Sequence, residues 1–152
     1  DKINQMVVLW YEGILYQLTR MPPEIMVNKW IYDEYPALRV PQMNALHLQR
    51  ETAIMSLSQD LRRITPAKVY SASNIMNYVF FKVLEDYFHL DYVAPYHSTI
   101  FIFEGTALAK VTKNEYVNSH EGDREMIGKW ASHLGLEKWF EWKPMDSEHS
   151  DE

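Results

Sequence analysis

The chain has 152 residues, of which 47% are hydrophobic, 14% aromatic and 24% charged, a balance that excludes intrinsic disorder and gives one domain enough apolar surface for a real core. Its net charge of −6 argues against nucleic-acid binding, which needs a basic face. The lack of cysteine excludes disulfides, thiolate metal sites and thiol nucleophiles, and leads us to expect a cytoplasmic or other reducing compartment.

Ile3, Val7, Trp10, Ile14 and Leu18 recur every three or four residues, with Val8, Tyr11 and Leu15 beside them, and predict a first helix that is apolar over much of its circumference. The same region is the densest apolar stretch, but Glu12 and Gly13 interrupt Met6 to Tyr16, so no membrane span is expected. Nor does the start read as a secretory leader. Met21-Pro22-Pro23 is expected to end this helix, because the residue before a proline is pushed out of the α region and proline brings no amide. Pro23 then suits the first turn of a second helix, which runs through Ile25, Met26, Trp30 and Ile31 to about Tyr35.

Pro41 is placed to open a third helix with Met43, Leu46, Arg50, Ala53 and Leu57 on one side, and Ser58 to cap a separate short turn from Asp60 to Arg63. Thr65-Pro66 reads as an N-cap hydroxyl followed by proline at the first helical position. From there Val69, Ala72, Met76, Val79, Val83, Tyr87 and Leu90 trace the strongest periodicity in the chain. The texture then changes. Thr99 to Phe103 is β-branched and aromatic, predicting a strand ended by Glu104-Gly105, with Ala107 to Thr112 as its hairpin partner. Asp123 to His133 predicts a last helix with Gly135 as its C′ residue. An aromatic segment from Leu136 to Trp142 follows.

The expected fold is therefore mainly α: one domain over 1–143 of four to five helices with a short late β-hairpin. An acidic flexible tail over 144–152, carrying Asp146, Glu148, Asp151 and Glu152, is expected to follow. The start at Asp1, without an initiator methionine, leads us to expect a segment of a longer protein.

The motifs that fix a chemistry are missing: the sequence has no HExxH, Walker loop, GxGxxG, GxSxG or EF-hand loop. His47 and Glu51, four apart, share a helical face and offer an imidazole and a carboxylate to one proton transfer, or simply to each other. Asp86 and His89 stand three apart at a helix end, and the following turn carries Asp91 and His97. Together they form the densest nitrogen-and-oxygen group for a metal or a catalytic pair, although a helix C-terminus favours histidine on dipole grounds alone. Arg62, Arg63 and Lys68 form a small basic corner around Thr65-Pro66, suited to a phosphate or an acidic partner at the helix N-terminus, or simply to solvent. Among the aromatics, Trp10, Trp30 and Trp130 are expected in the core, whereas Trp139, Phe140 and Trp142 crowd a terminal segment without helical spacing and suit partner contact as well as packing.

Two functional readings follow. The first is a non-enzymatic interaction or structural domain, without cofactor, whose apolar first helix is covered by a protein partner or by another segment of the same protein. The alternative is a hydrolase-like enzyme, or an accessory part of one, using Asp86, His89 and His97, with or without a metal.

Overall fold

The apolar stripe that begins at Ile3 continues past both prolines as Ile14, Leu18, Met21, Pro22 and Ile25, all of the last five buried. In the computed structural model, which describes residues 1–144, that stripe forms one helix, α1 (Lys2–Glu34), capped at its start by the Asp1 carboxylate. The expected break at Pro22-Pro23 is overturned. Each internal proline costs a helix about 3 kcal/mol. Fully burying a large aliphatic side chain returns roughly 1.5–3 kcal/mol, and Leu18, Met21 and Ile25 stay on the core side only if the helix continues. The acidic tail expected over 144–152 lies, Pro144 apart, outside the described residues.

The remaining elements are α2 (Arg39–Met55), α3 (Gln59–Ile64), α4 (Ala67–Phe88), α5 (Phe101–Glu115) and α6 (His120–Leu134), with single 3₁₀ turns at Pro36–Leu38, Ala94–Tyr96 and Glu137–Trp139. Ser58 caps α3 through a hydrogen bond accepted from Leu61 N, and so separates it from α2 as its position suggested. At Thr65-Pro66 the expected cap is shifted: Pro66 itself, in extended backbone, is the N-cap of α4, and Thr65 instead ends α3, its N–H donating to Leu61 O, with no side-chain bond to α4.

The predicted β-hairpin is absent, and the described residues contain no strand. Thr99 to Phe103 has a strand's β-branched and aromatic composition, but Phe101, Gly105, Leu108, Ala109 and Thr112 carry helical spacing, and all five are buried in α5. That periodicity wins because a lone hairpin is marginal in water, whereas α5 lays its whole stripe on α4. Gly105, read from sequence as the end of a strand, is where the Tyr78 ring of α4 seats: a Cβ there would lie 2.3 Å from Tyr78 Cδ1.

Helix α4 lies at the centre, with Met76, Val79, Phe80, Phe81 and Leu84 fully enclosed. Gln17 meets Ser73 and Asn77, and Tyr32 meets Phe88, so α1 runs parallel to α4. Tyr70 meets Phe101 and Lys113 meets Asp86, so α5 is parallel to it as well. Helix α6 returns antiparallel: Trp130 Nε1 donates to Thr112 Oγ1 at 2.9 Å, and that hydroxyl donates to Leu108 O at 2.8 Å. The four helices α1, α4, α5 and α6 close a ring around one core, and α2 packs back antiparallel across α1 and α4. Trp130 is in the core as expected. Trp10 is half-buried, and Trp30 is displaced to the surface, 52% exposed with its ring edge-on to Tyr35.

Glycine substitutions separate packing from propensity. Gly105→Ala is expected to destabilise the protein by about 1–3 kcal/mol despite alanine's better helix propensity, because the methyl overpacks against Tyr78. Gly128→Ala, where nothing lies within 4 Å of the added carbon, is expected to stabilise by about 0.5–1 kcal/mol. Urea denaturation of the two variants checks the opposite signs.

Candidate functional site

Helix α4 ends at His89, whose backbone is left-handed (φ 57°, ψ 46°). Its N–H and that of Leu90 both bond Glu85 O, an arrangement that usually selects glycine. The loop that follows is held by the Glu85 side chain, whose Oε2 accepts from Tyr92 N at 2.6 Å and Val93 N at 3.0 Å. Arg50 Nε adds a bond to Tyr92 O at 2.7 Å. Glu85 had no distinguishing signal in the sequence beyond its place one turn before the helix end.

This clamp decides where the His/carboxylate group falls. Asp86 sits between Lys82 at 3.0 Å and Lys113 at 2.9 Å. Burial alone would raise its pKa, but hydrogen bonds from Lys113 and Lys82 outweigh that and hold the carboxyl below its ordinary value. Its contribution to stability is thus present above the ordinary carboxylate range and is lost as the pH falls through the lowered value. His89, Asp91 and His97 are all exposed, and among the described residues no three His, Asp or Glu side chains converge to hold a metal ion. Asp86 already has its two cations.

His47 Nε2 lies 3.3 Å from Glu51 Oε1, both more than half exposed, as a surface pair on α2. Arg62, Arg63 and Lys68 are exposed at the α3–α4 corner, with Arg63 3.8 Å from Asp60. Of the terminal aromatics, Trp139 stacks on Tyr11 of α1 at 6.1 Å, and the Tyr11 hydroxyl donates to Trp139 O. Phe140 is half-buried and meets Trp142 edge-on, while Trp142 is exposed with Arg124 over its ring. So Trp139 and Phe140 strap α1 and α6, and only Trp142 of the three offers free surface.

The more distinctive surface lies at the start of α1. Ile3, Val7 and Trp10 continue the stripe that is buried from Ile14 onward, yet Ile3 is 69% and Val7 53% exposed, as is Leu9 at 65%. Helices that cover the stripe lower down end short of this point: Trp139 reaches Tyr11, and α4 meets α1 at Gln17. At the root of the projecting turns lies a cleft of about 330 Å³ between α1, α3 and α4, walled by Leu9, Trp10, Ile14, Leu61 and Val69.

Polar groups form the other side of this cleft. Gln17 Nε2 donates to Ser73 O and Asn77 Oδ1, both at 2.9 Å, and Ser73 Oγ donates back to Gln17 Oε1 at 2.8 Å. Asn74 is 1% exposed; its Nδ2 donates to Ser56 O and Tyr70 O, while its Oδ1 is buried without a partner. Sequence reasoning missed these positions. The available signal was a run of polar residues, Ser71, Ser73, Asn74 and Asn77, inside an otherwise apolar helix.

Comparison with protein-family models, with curated proteins and with solved structures gives no match.

The backbone at position 89 supplies a test of the histidine's role. Replacing His89 by glycine relieves the left-handed strain of a side-chain-bearing residue and is expected to stabilise by about 0.5–1 kcal/mol, roughly 1–4 °C in Tm for a chain of this size. Thermal denaturation with and without added zinc reads this. A lowered Tm, or a zinc-dependent stabilisation lost in the variant, would show instead that the imidazole serves as a ligand.

Proposed function

We propose that the chain is a non-enzymatic interaction or structural domain, and that a helix of a protein partner docks along the first three turns of α1. One observation carries this reading: the stripe covered by α4 and α6 from Ile14 to Ile25 continues through Trp10, half-buried, to Val7 and Ile3, which are uncovered. A surface that helices cover in one half is complemented by a helix in the other, because the same three-and-four spacing presents the same ridges. Charge supports a protein over nucleic acid or an anionic membrane: Asp1, Lys2 and Glu12 are the charged side chains of this stretch, and they give no cationic face. Among the described residues no helix is long and apolar enough to cross a membrane. Contiguous exposed apolar side chains on this scale mark interaction sites in soluble domains.

The partner-docking reading makes a measurable distinction between surface and core. Val7→Ser/Leu9→Ser is expected to leave the far-ultraviolet circular dichroism unchanged and stability within about 0.5 kcal/mol, as for other surface positions. Fluorescence of bound anilinonaphthalene sulfonate should fall severalfold. A wild-type chain that sediments as a monomer and binds no dye would defeat the proposal. So would a variant that loses several degrees in Tm, since both side chains would then belong to the core.

A further inference from the structure

The order of residues at the exposed end of α1 singles out a partner. From Ile3 to Ile14 the sequence reads INQMVVLWYEGI, apolar throughout except at Asn4, Gln5, Glu12 and Gly13. Apolar and other positions therefore come in the same order from either end, about a point between Val8 and Leu9. The stripe itself shares this symmetry, since Ile3, Val7, Trp10 and Ile14 are spaced by four, three and four. Two such helices laid antiparallel bring Ile3 level with the partner's Ile14, and Val7 level with the partner's Trp10. Small side chains then sit beside large ones along the seam, the arrangement that lets facing layers interdigitate. An unrelated helix would need the same pattern, whereas a second copy supplies it by symmetry.

We infer that the partner helix is α1 of a second copy of this chain, paired antiparallel over Ile3 to Ile14 in a two-fold dimer, the commonest symmetry of soluble oligomers. Charge permits it. At 3.6 residues per turn, Lys2 and Glu12 both fall at least about 100° from the midline of the stripe, so no like charges meet in the seam. Direction follows from the bodies of the two molecules. A parallel pair would crowd them at one end, where α4 flanks α1 from Gln17 and Trp139 from Tyr11; an antiparallel pair sets them at opposite ends. The partner's first turn then descends beside Ile14, where the fold leaves room for it. Trp139 closes the Tyr11 flank there, but the cleft of about 330 Å³ between α1, α3 and α4 opens on the flank of Trp10 and Gly13.

This inference rests on the docking reading of α1. Sedimentation equilibrium of the full chain, up to about 1 mM, is expected to show monomer and dimer exchanging with concentration. Val7→Glu puts a carboxylate into the seam from both copies and should raise the dissociation constant at least about thirtyfold. Gln5→Glu makes the same charge change on the face opposite the stripe and should move it by less than about fivefold. Both positions are exposed in the single chain, so neither variant threatens the fold. Because the chain has no cysteine of its own, nitroxide labels on Lys2→Cys or Arg20→Cys read the direction by electron–electron dipolar spectroscopy. Antiparallel pairing separates the two labels at position 2 by about 20 Å along the axis and those at position 20 by about 35 Å. Parallel pairing would leave both pairs about 10 Å apart. A dimer that Val7→Glu leaves intact, or one with both label pairs close, would overturn the antiparallel seam. A chain that stays monomeric yet binds the dye through Val7 and Leu9 would overturn self-pairing and leave the docking reading to another protein's helix. A monomer that binds no dye would take both.

Discussion

The structure depends on α1 remaining one rod through two adjacent prolines. Each lacks an amide and crowds the carbonyl four residues before it, so the pair removes two hydrogen bonds from one turn. What holds the turn is tertiary: Met21 and Pro22 are themselves buried, and Leu18 and Ile25 on either side are almost fully enclosed. The packing partners of α1 straddle the prolines. Helix α6 lies along Thr19, Pro23 and, through the segment that follows it, Tyr11; α4 contacts α1 from Gln17 to Tyr32. A break at Met21 would misalign both sets of contacts at once, and that is why local propensity loses.

The same rigidity creates the exposed end. A helix of 33 residues spans about 50 Å at 1.5 Å per residue, whereas α4, parallel to it, has 22 and α6 has 15. With its lower half fixed against both, the first turns of α1 extend beyond the helices that cover the stripe. Exposure of Ile3, Val7 and Leu9 is thus a consequence of element length rather than of local sequence. It also places the cleft, which forms where α1 leaves the body and α3 turns the corner into α4.

How much of this was legible in the residues follows the same division. Of the α4 stripe, Ala72, Met76, Val79 and Val83 are in the core, Val69 and Tyr87 are half-buried, and Leu90 lies exposed beyond the helix end. Gly135 is left-handed at the end of α6 and Ser58 caps α3; caps are local chemistry and local sequence suffices. What failed were judgements that weighed local propensity against packing. Thr99 to Phe103 has a strand's composition, and only the non-local fit of Phe101 to Tyr70 and Gly105 to Tyr78 makes it helical. Pro22-Pro23 has a terminator's composition and the same kind of override. Trp30 is four residues from Met26 but five from Ile25, so the unbroken helix carries it off the buried stripe to the surface, where its ring meets Tyr35 edge-on. As for the site, the aromatic segment was noticed for its density, yet Trp139 proved to be a strap. The unpaired atom on Asn74 required knowing which carbonyls its amide faces, and a sequence does not contain that.

The half-buried acidic groups of α4 are engaged within the fold. Catalytic groups have perturbed proton affinities in clefts, poised by environments that drive paired groups apart. Here the half-buried carboxylates are neutralised: Asp86 by two lysines, and Glu85 by Lys82 and two backbone amides. Tyr116 and Tyr96 are held protonated, chiefly by burial, and Tyr116 also donates to Asp123. Among the described residues, Gln42 Oε1, Asn74 Oδ1 and the Tyr96 hydroxyl oxygen are buried without a partner, and the two amide oxygens belong to residues that line clefts beside α1. An amide oxygen neither ionises nor attacks; it recognises a donor. Gln42 Oε1 and Asn74 Oδ1 are thus acceptors enclosed beside the helix whose apolar end is uncovered.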